Sequence, residues 1–212
     1  MSHSIENKTL TLRAQLKSLR AAQDPADTQR GALLMRGRLF TWLATTREVR
    51  AKAGKPAPRH IAAFWPMPEE PNLLPLLHQW VDDDSLTVSL PVVTGPDMPL
   101  EFRRWTPDTP MVSGAFGISE PDSEPAPLPD LILVPTLGFT RQGHRVGYGK
   151  GYYDRTLAKL KAQGHPFTAL GIAWACGDIN RLPDVTYQPQ PHDYRLDGIL
   201  TDKGWALKLP ED

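Results

Sequence analysis

The chain repeats one pattern that few architectures satisfy: short apolar runs, punctuated by proline and glycine, alternate with helical stretches. His60 to Phe64, Leu86 to Leu90, Leu131 to Val134, Ala169 to Trp174 and Gly198 to Thr201 each read as a strand. Runs this apolar belong in a sheet covered on both faces, and strands alternating with helices favour parallel pairing. Residues 8–22 read as an amphipathic helix, with Leu12, Leu16 and Leu19 on one stripe and Arg13, Lys17 and Arg20 beside it. Asp24-Pro25 breaks it. A second helix spans 27–52, with Leu33, Leu34, Phe40, Trp42 and Leu43 as its apolar contribution, and Gly54-Lys55-Pro56 stops it. Asn72 is placed to cap a helix through Trp80. Residues 151–163 form another, with Tyr153, Leu157 and Leu160 inward and Gly164 at its end. Segments 98–105 and 111–116 read as a peripheral hairpin. The expected fold is a single three-layer α/β domain over 1–212. Its central sheet is mainly parallel and flanked by helices, with the N-terminal helices 8–52 packing on it. No repeat or linker stands out, and the proline-rich stretch 121–129 reads as a surface loop.

Composition narrows the function. Lys plus Arg equals Asp plus Glu, 24 against 24, so the formal net charge is zero. A nucleic-acid binder usually carries a clear basic excess, so no nucleic-acid partner is expected. The single cysteine, Cys176, excludes an intramolecular disulfide and suits a reducing compartment; its expected role is that of a buried hydrophobe. Met1 to Asn7 is polar and lacks the apolar core of a signal peptide. No apolar run approaches the roughly 20 residues of a membrane span. The expectation is a cytoplasmic monomer that acts on small molecules and has no membrane partner.

One stretch carries chemistry: Arg145-Val146-Gly147-Tyr148-Gly149-Lys150-Gly151-Tyr152-Tyr153-Asp154-Arg155. Alternating glycines let the backbone approach a ligand closely, and successive N–H groups in such a loop can form an anion nest. Arg145 and Lys150 add positive charge, one planar and bidentate, the other a point charge. A helix starts next, and helix N-termini attract phosphate. Asp154 could hold a hard cation such as Mg²⁺, or simply form a salt bridge. The loop is neither a Walker motif, since Gly151 follows Lys150, nor the G-x-G-x-x-G dinucleotide fingerprint. A plain strand-to-helix turn satisfies the same pattern.

The run Asp130 to Pro135, then Gly138-Phe139, Gly143 and Arg145 through Arg155, resembles the signature of the 5-formyltetrahydrofolate cyclo-ligase family. Further segments match in the family's order: Ile61 to Phe64, Met67 to Glu70, Leu90-Pro91, Phe102 to Trp105, Phe116 to Pro121, Leu182-Pro183 and His192-Asp193. The resemblance covers about residues 8–202. It implies an enzyme that joins the 5-formyl group of its substrate to nitrogen 10, spending ATP as co-substrate with Mg²⁺ as cofactor. It further implies Arg145, Lys150 and Tyr152 as catalytic residues. Lys8, Arg13 and the loop Arg145, Val146, Gly147, Tyr148, Gly149, Lys150, Gly151, Tyr152 and Tyr153 would bind ATP. Of the two tyrosines, Tyr153 fits the buried helix stripe, so Tyr152 is the expected contact. Phe64, Trp65, Met67, Glu70, Trp105 and Tyr152 would form the folate wall, with Glu70 accepting from the pterin donors. Asp154 and Asp193 would hold the metal, and His192 would orient their loop.

The sequence departs from the family at two places. Thr9 stands where the family carries lysine, so Lys8 reaches the phosphates only from a neighbouring register. Pro71 follows Glu70 where an aliphatic residue is usual. Both leave room for an ATP-dependent relative with a different formylated or carboxylated substrate. A non-catalytic folate or nucleotide binder should lack one of Arg145, Lys150, Asp154 and Asp193, and all are present. Arg20 matches a recurring basic position, and a solvated surface charge would explain it equally well.

Overall fold

The computed structural model describes the backbone of residues 2–183, 185, 187–191 and 193–209, and the side chains from residue 11 onward within those ranges. The helix α1 (Ser2–Ala21) is followed by α2 (Pro25–Lys52). Asp24 does more than break the first helix. Its carboxylate accepts from the Ala26 and Asp27 amides and caps α2, with Pro25 at the first helical position, where its missing N–H is harmless. Next come β1 (His60–Ala62), α3 (Leu74–Val81), β2 (Thr87–Val92), β3 (Glu101–Arg104), β4 (Met111–Ser113), β5 (Ser119–Pro121) and β6 (Leu131–Pro135). Then follow β7 (Gly138–Phe139), β8 (Arg145–Val146), α4 (Tyr152–Ala162), β9 (Thr168–Ala173), β10 (Gly198–Thr201) and β11 (Gly204–Leu207).

Seven strands form one sheet in the order β11-β10-β9-β6-β1-β2-β3. The inner pairs are parallel, while β3 and β11 join antiparallel at the edges. The period-2 rule sorts the strand residues into two cores. Ile61, Leu131, Leu133, Leu170, Ile172 and Leu200 face the side covered by α2 and α3. Ala62, Ile132, Val134, Ala169, Ala173 and Ile199 face α4, whose Leu157 and Leu160 close that layer. The expected α/β fold with a mainly parallel central sheet is what the chain adopts.

Two details of the expectation are corrected. Segments 98–105 and 111–116 do not pair with each other. β3 runs antiparallel to β2, and the Trp105 amide continues that ladder onto the Val88 carbonyl; β4 pairs with β5 instead. The apolar face of α2 is also different. Gly31, Ala32, Met35, Leu39 and Leu43 are buried, whereas Leu33, Leu34 and Phe40 are exposed. Small residues win the inner face because the helix approaches closely: a Cβ on Gly31 would sit 2.8 Å from Asp202 and 3.0 Å from Trp174. Among the described residues no helix is long and apolar enough to cross a membrane.

A third cluster joins Leu12 and Leu16 of α1 to Leu137, Val146 and Ile179. Leu16 lies where a side chain on Gly138 would be, since a Cβ there would meet its methyl at 2.5 Å. This packing seats α1 over the β7–β8 ribbon and sets up the site.

Candidate active site

The chain passes from β1 to β2 on one side of the sheet, then returns to place β6 on the other side of β1. The crevice at such a reversal, beyond the carboxyl ends of the strands, is the habitual ligand position of open α/β sheets. A cavity opens there. It has a volume of about 450 Å³, and Phe64, Pro91 and Pro135, which follow or end β1, β2 and β6, reach its lining.

One wall is cationic. Arg145 and Val146 form β8, which the β7 ribbon holds in place. Gly147 to Gly151 then loop into α4, with Gly149 at φ 93° and Gly151 at φ 67°. The glycines are steric necessities here: a Cβ on Gly147 would lie 2.5 Å from the Arg145 guanidinium. Gly151 at the N-cap of α4 has no side chain to cap the first turn, whose N–H groups point to the end of the helix that attracts anions. Arg145 is buried and donates to Asp154 at 2.8 Å, while its Nε is buried without a partner among the described residues. Lys150 is exposed, with its ammonium 5.5 Å from the centre of the Phe116 ring. Arg13 reaches across from α1 and donates to the Gly147 carbonyl at 3.0 Å.

The opposite wall is apolar around one carboxylate. Phe64, Trp65 and Met67 line it, with Glu70 among them. Glu70 is only 7% exposed. Its Oε1 accepts from the Tyr148 hydroxyl at 2.6 Å and its Oε2 from the Met67 amide at 3.0 Å. Burial pushes the Glu70 carboxyl above the ordinary glutamate value, while the Tyr148 bond, the Met67 amide and the charge of Arg20 pull the other way. Pro71, the departure from the family pattern, is buried behind it.

Asp154 and Asp193 line the same cavity. They are joined through a chain of contacts. Asp154 holds Arg145 and accepts from the Tyr194 amide at 3.3 Å, while Tyr187 contacts both the Arg145 carbonyl at 3.1 Å and Asp193 at 2.9 Å. The Gln190 amide also donates to Asp193, at 2.8 Å. Burial first, then the charge of Asp193, pushes the Tyr187 phenol up. Asp154 is therefore salt-bridged, as its simpler reading allowed, and still lines the cavity beside the second acid.

Tyr152 and Tyr153 both line the cavity. Tyr153 is not merely a member of the helix's buried stripe: among the described residues its hydroxyl is buried without a partner, and the Arg145 guanidinium lies 5.9 Å from its ring centre. Trp105 is a correction. It is buried in the core under α3 with its ring edge-on to His78, because the β3 ladder carries it inward, and it does not line the cavity. Lys8 lies on α1, but its side chain is outside the described residues, as is the whole of His192. Cys176 is only half-buried, at the edge of the main core.

Sequence reasoning missed three participants. Arg20 is 5% exposed rather than solvated, and it donates to the Tyr148 hydroxyl at 2.5 Å and the Thr136 carbonyl at 3.0 Å. Its matching basic position was the only signal. Phe116, 63% exposed, lines the cavity at φ 60° with its ring tilted against Tyr152 at 6.2 Å. Tyr187, in a loop with no motif of its own, links Arg145 to Asp193.

The arrangement is a cation-lined anion cradle facing an aromatic slot with a buried acceptor. A model of the 5-formyltetrahydrofolate cyclo-ligase family matches residues 5–202. The chain is 38% identical to a 5-formyltetrahydrofolate cyclo-ligase of Haemophilus influenzae over 40% of its own length and 46% of the relative's, so it aligns with about half of that protein. With the enzyme of that name from Mycolicibacterium smegmatis it shares 33% identity over 71% of this chain and 77% of the relative. An Aquifex aeolicus 5,10-methenyltetrahydrofolate synthetase structure superposes with a TM-score of 0.71 at 25% identity, over 96% of this chain and 94% of that one. A 5,10-methenyltetrahydrofolate synthetase from Mycoplasma pneumoniae shares the fold at a TM-score of 0.67 and 22% identity, over 92% of this chain and 98% of that one. With the glycine loop, the paired acids and the aromatic slot assembled around one cavity, the match over nearly the whole length means that the chain belongs to the 5-formyltetrahydrofolate cyclo-ligase family.

Proposed function

We propose that this protein cyclises 5-formyltetrahydrofolate to 5,10-methenyltetrahydrofolate, converting ATP to ADP and phosphate. The observation that carries this reading is the two-sided cavity: Arg145, Lys150 and the glycine loop on one wall, Phe64, Trp65, Met67 and Glu70 on the other. A reaction that joins a polyanion to a flat, apolar, hydrogen-bonding heterocycle needs such a juxtaposition. The formyl oxygen attacks the γ-phosphorus, and ADP leaves. Nitrogen 10 then adds to the activated carbon and loses its proton, and phosphate departs with the former formyl oxygen. An amide oxygen leaves poorly, and its phosphate ester leaves well. The residues have no bond to make themselves; they position two substrates and neutralise charge.

In this reading Arg145 and Tyr153 face substrate oxygens from the cavity wall. Lys150 serves the transferring phosphoryl group, and the exposed face of Tyr152 closes the cavity beside it. Arg13 holds the loop by its Gly147 carbonyl. Glu70 accepts from the pterin N–H donors with the lone pairs its protein partners leave. Oxygen donors are what Mg²⁺ takes, and it typically uses one or two carboxylates with phosphate and water, so Asp154 and Asp193 fit it. When bound, the ion would share the phosphate charge. A cytoplasmic setting accords with the lone cysteine.

The test is direct. Protein, Mg²⁺-ATP and 5-formyltetrahydrofolate are mixed, and the near-ultraviolet absorbance of the conjugated product is followed, with ATP omitted as the control. Product only in the complete mixture is expected. Tight binding of both substrates without product would return the protein to a binding role.

A further inference from the structure

Glu70 and the glycine loop belong to opposite walls of the cavity, yet one hydroxyl connects them. Tyr148 stands between Gly147 and Gly149, in the loop assigned to phosphate. Its O–H donates to Glu70 Oε1 at 2.6 Å, and its oxygen accepts from Arg20 at 2.5 Å. The order of donors runs one way, from guanidinium to phenol to carboxylate. Arg20 is itself fixed, because its second nitrogen donates to the buried Thr136 carbonyl at the end of β6. Its charge also lies 5.8 Å from the Tyr148 ring centre.

α1 delivers two such arginines. Arg13 and Arg20 are seven residues apart, two helical turns, and so share a face. Arg13 donates to the Gly147 carbonyl and packs on Gly149, where a Cβ would meet its guanidinium at 3.2 Å. The loop is thus gripped at Gly147 by one arginine and at Tyr148 by the next. The Tyr148 hydroxyl therefore ties the position of this loop to that of the Glu70 carboxylate, so that a ligand seated on the one is felt at the other.

We propose that Arg20 and Tyr148 are positioning residues that couple the two substrate subsites: filling the phosphate loop aligns Glu70, and the folate then binds at a lower ordering cost. This rests on the assignment of nucleotide and folate to the two walls. Linkage makes the effect reciprocal, so the folate strengthens nucleotide binding by the same factor. Arg20 touches neither reacting group. It acts by holding the phenol, and it gives the buried carboxylate a cationic partner through a neutral bridge, a role that the sequence alone does not separate from surface charge.

The experiment is a calorimetric titration of 5-formyltetrahydrofolate into the whole protein, with and without saturating Mg²⁺ and a non-hydrolysable ATP analogue. In the wild type the folate should bind about 5-fold tighter or more with the analogue present, the lower range of site-to-site coupling. Tyr148→Phe keeps the ring and loses the hydroxyl, so the enhancement should fall to near unity, whatever the change does to the affinity of either ligand alone. Arg20→Met should behave likewise, and Arg20→Lys, which can still donate one bond, should restore part of it. If Arg20→Met does not fold, Tyr148→Phe decides alone. Equal folate affinity with and without the analogue in a wild type that binds both would overturn the coupling and leave the proposed reaction standing. So would wild-type enhancement in Tyr148→Phe. Failure of the wild type to bind the folate at all would overturn the assignment of the walls, and the coupling with it.

Discussion

Arg145 and Lys150 carry the same charge on the same loop, and their surroundings make them fail differently. Either alanine variant should lower turnover about 10²-fold or more, the scale of losing one preorganised donor. Arg145→Ala also strands Asp154, whose side chain is only 17% exposed. Breaking such a pair costs up to about 3 kcal/mol. Lys150 is exposed, so its variant should melt with the wild type. Equal melting temperatures for the two variants would remove the buried ion pair from the account. Asp154→Asn and Asp193→Asn should each raise the Mg²⁺ concentration at half-maximal activity, and an unchanged requirement in both would refute the metal assignment. Glu70 supplies a pH prediction. Burial raises its pKa above the ordinary value of 4.5, so as pH falls it becomes neutral earlier than a surface glutamate and gives up acceptor capacity. The kcat/KM for the folate should therefore drop on an acid limb above pH 4.5. Glu70→Gln should lower kcat/KM and abolish that limb; a limb that persists in the variant belongs to another group.

Among the elements, the most strained is the short 3-10 turn Ala115–Gly117 between β4 and β5. Phe116 holds a left-handed backbone that costs a non-glycine residue on the order of 1 kcal/mol, and it is largely exposed at the cavity mouth. Phe116→Gly should raise stability by up to about 1 kcal/mol in a denaturant titration, since glycine adopts that conformation freely. A loss of stability would mean that the ring's contacts with Tyr152 and Lys150 outweigh the strain. The same turn shows what the sequence did and did not make legible. The inner strands could be read because both their faces are buried, which leaves an unbroken apolar run such as Leu131 to Val134. For β3 and β4 the strands could be read but not their partners, because both are half-exposed and pair elsewhere: β3 with β2, and β4 with β5. For α2, hydrophobicity located the helix but not its inner face, since Gly31 and Ala32 face inward for lack of room rather than for lack of polarity.

At the scale of the whole molecule, the site is a junction between α1 and elements far along the chain. The motif residues were legible because glycine, arginine and aspartate are needed there for what they are. Arg20 was not, because an arginine's burial is made by its partners, here Thr136 and Tyr148, 116 and 128 residues away. Leu16, 1% exposed against Gly138, anchors this junction. Leu16→Ala should cost about 2–5 kcal/mol in a chemical unfolding experiment, and a cost below that of a surface substitution would show α1 to be loosely seated. The separation has a consequence for synthesis. Arg13 and the Gly147 carbonyl it holds are 134 residues apart, with the helix made first. At typical translation speeds the loop reaches the exit roughly 7–27 s after the helix does. Throughout that interval Leu12 and Leu16 have no surface to cover them, so the stripe that later closes the active site is first an exposed apolar segment on the ribosome. There it is open to chaperones and to neighbouring nascent chains, and the cavity is complete only after the glycine loop and Asp193 have followed.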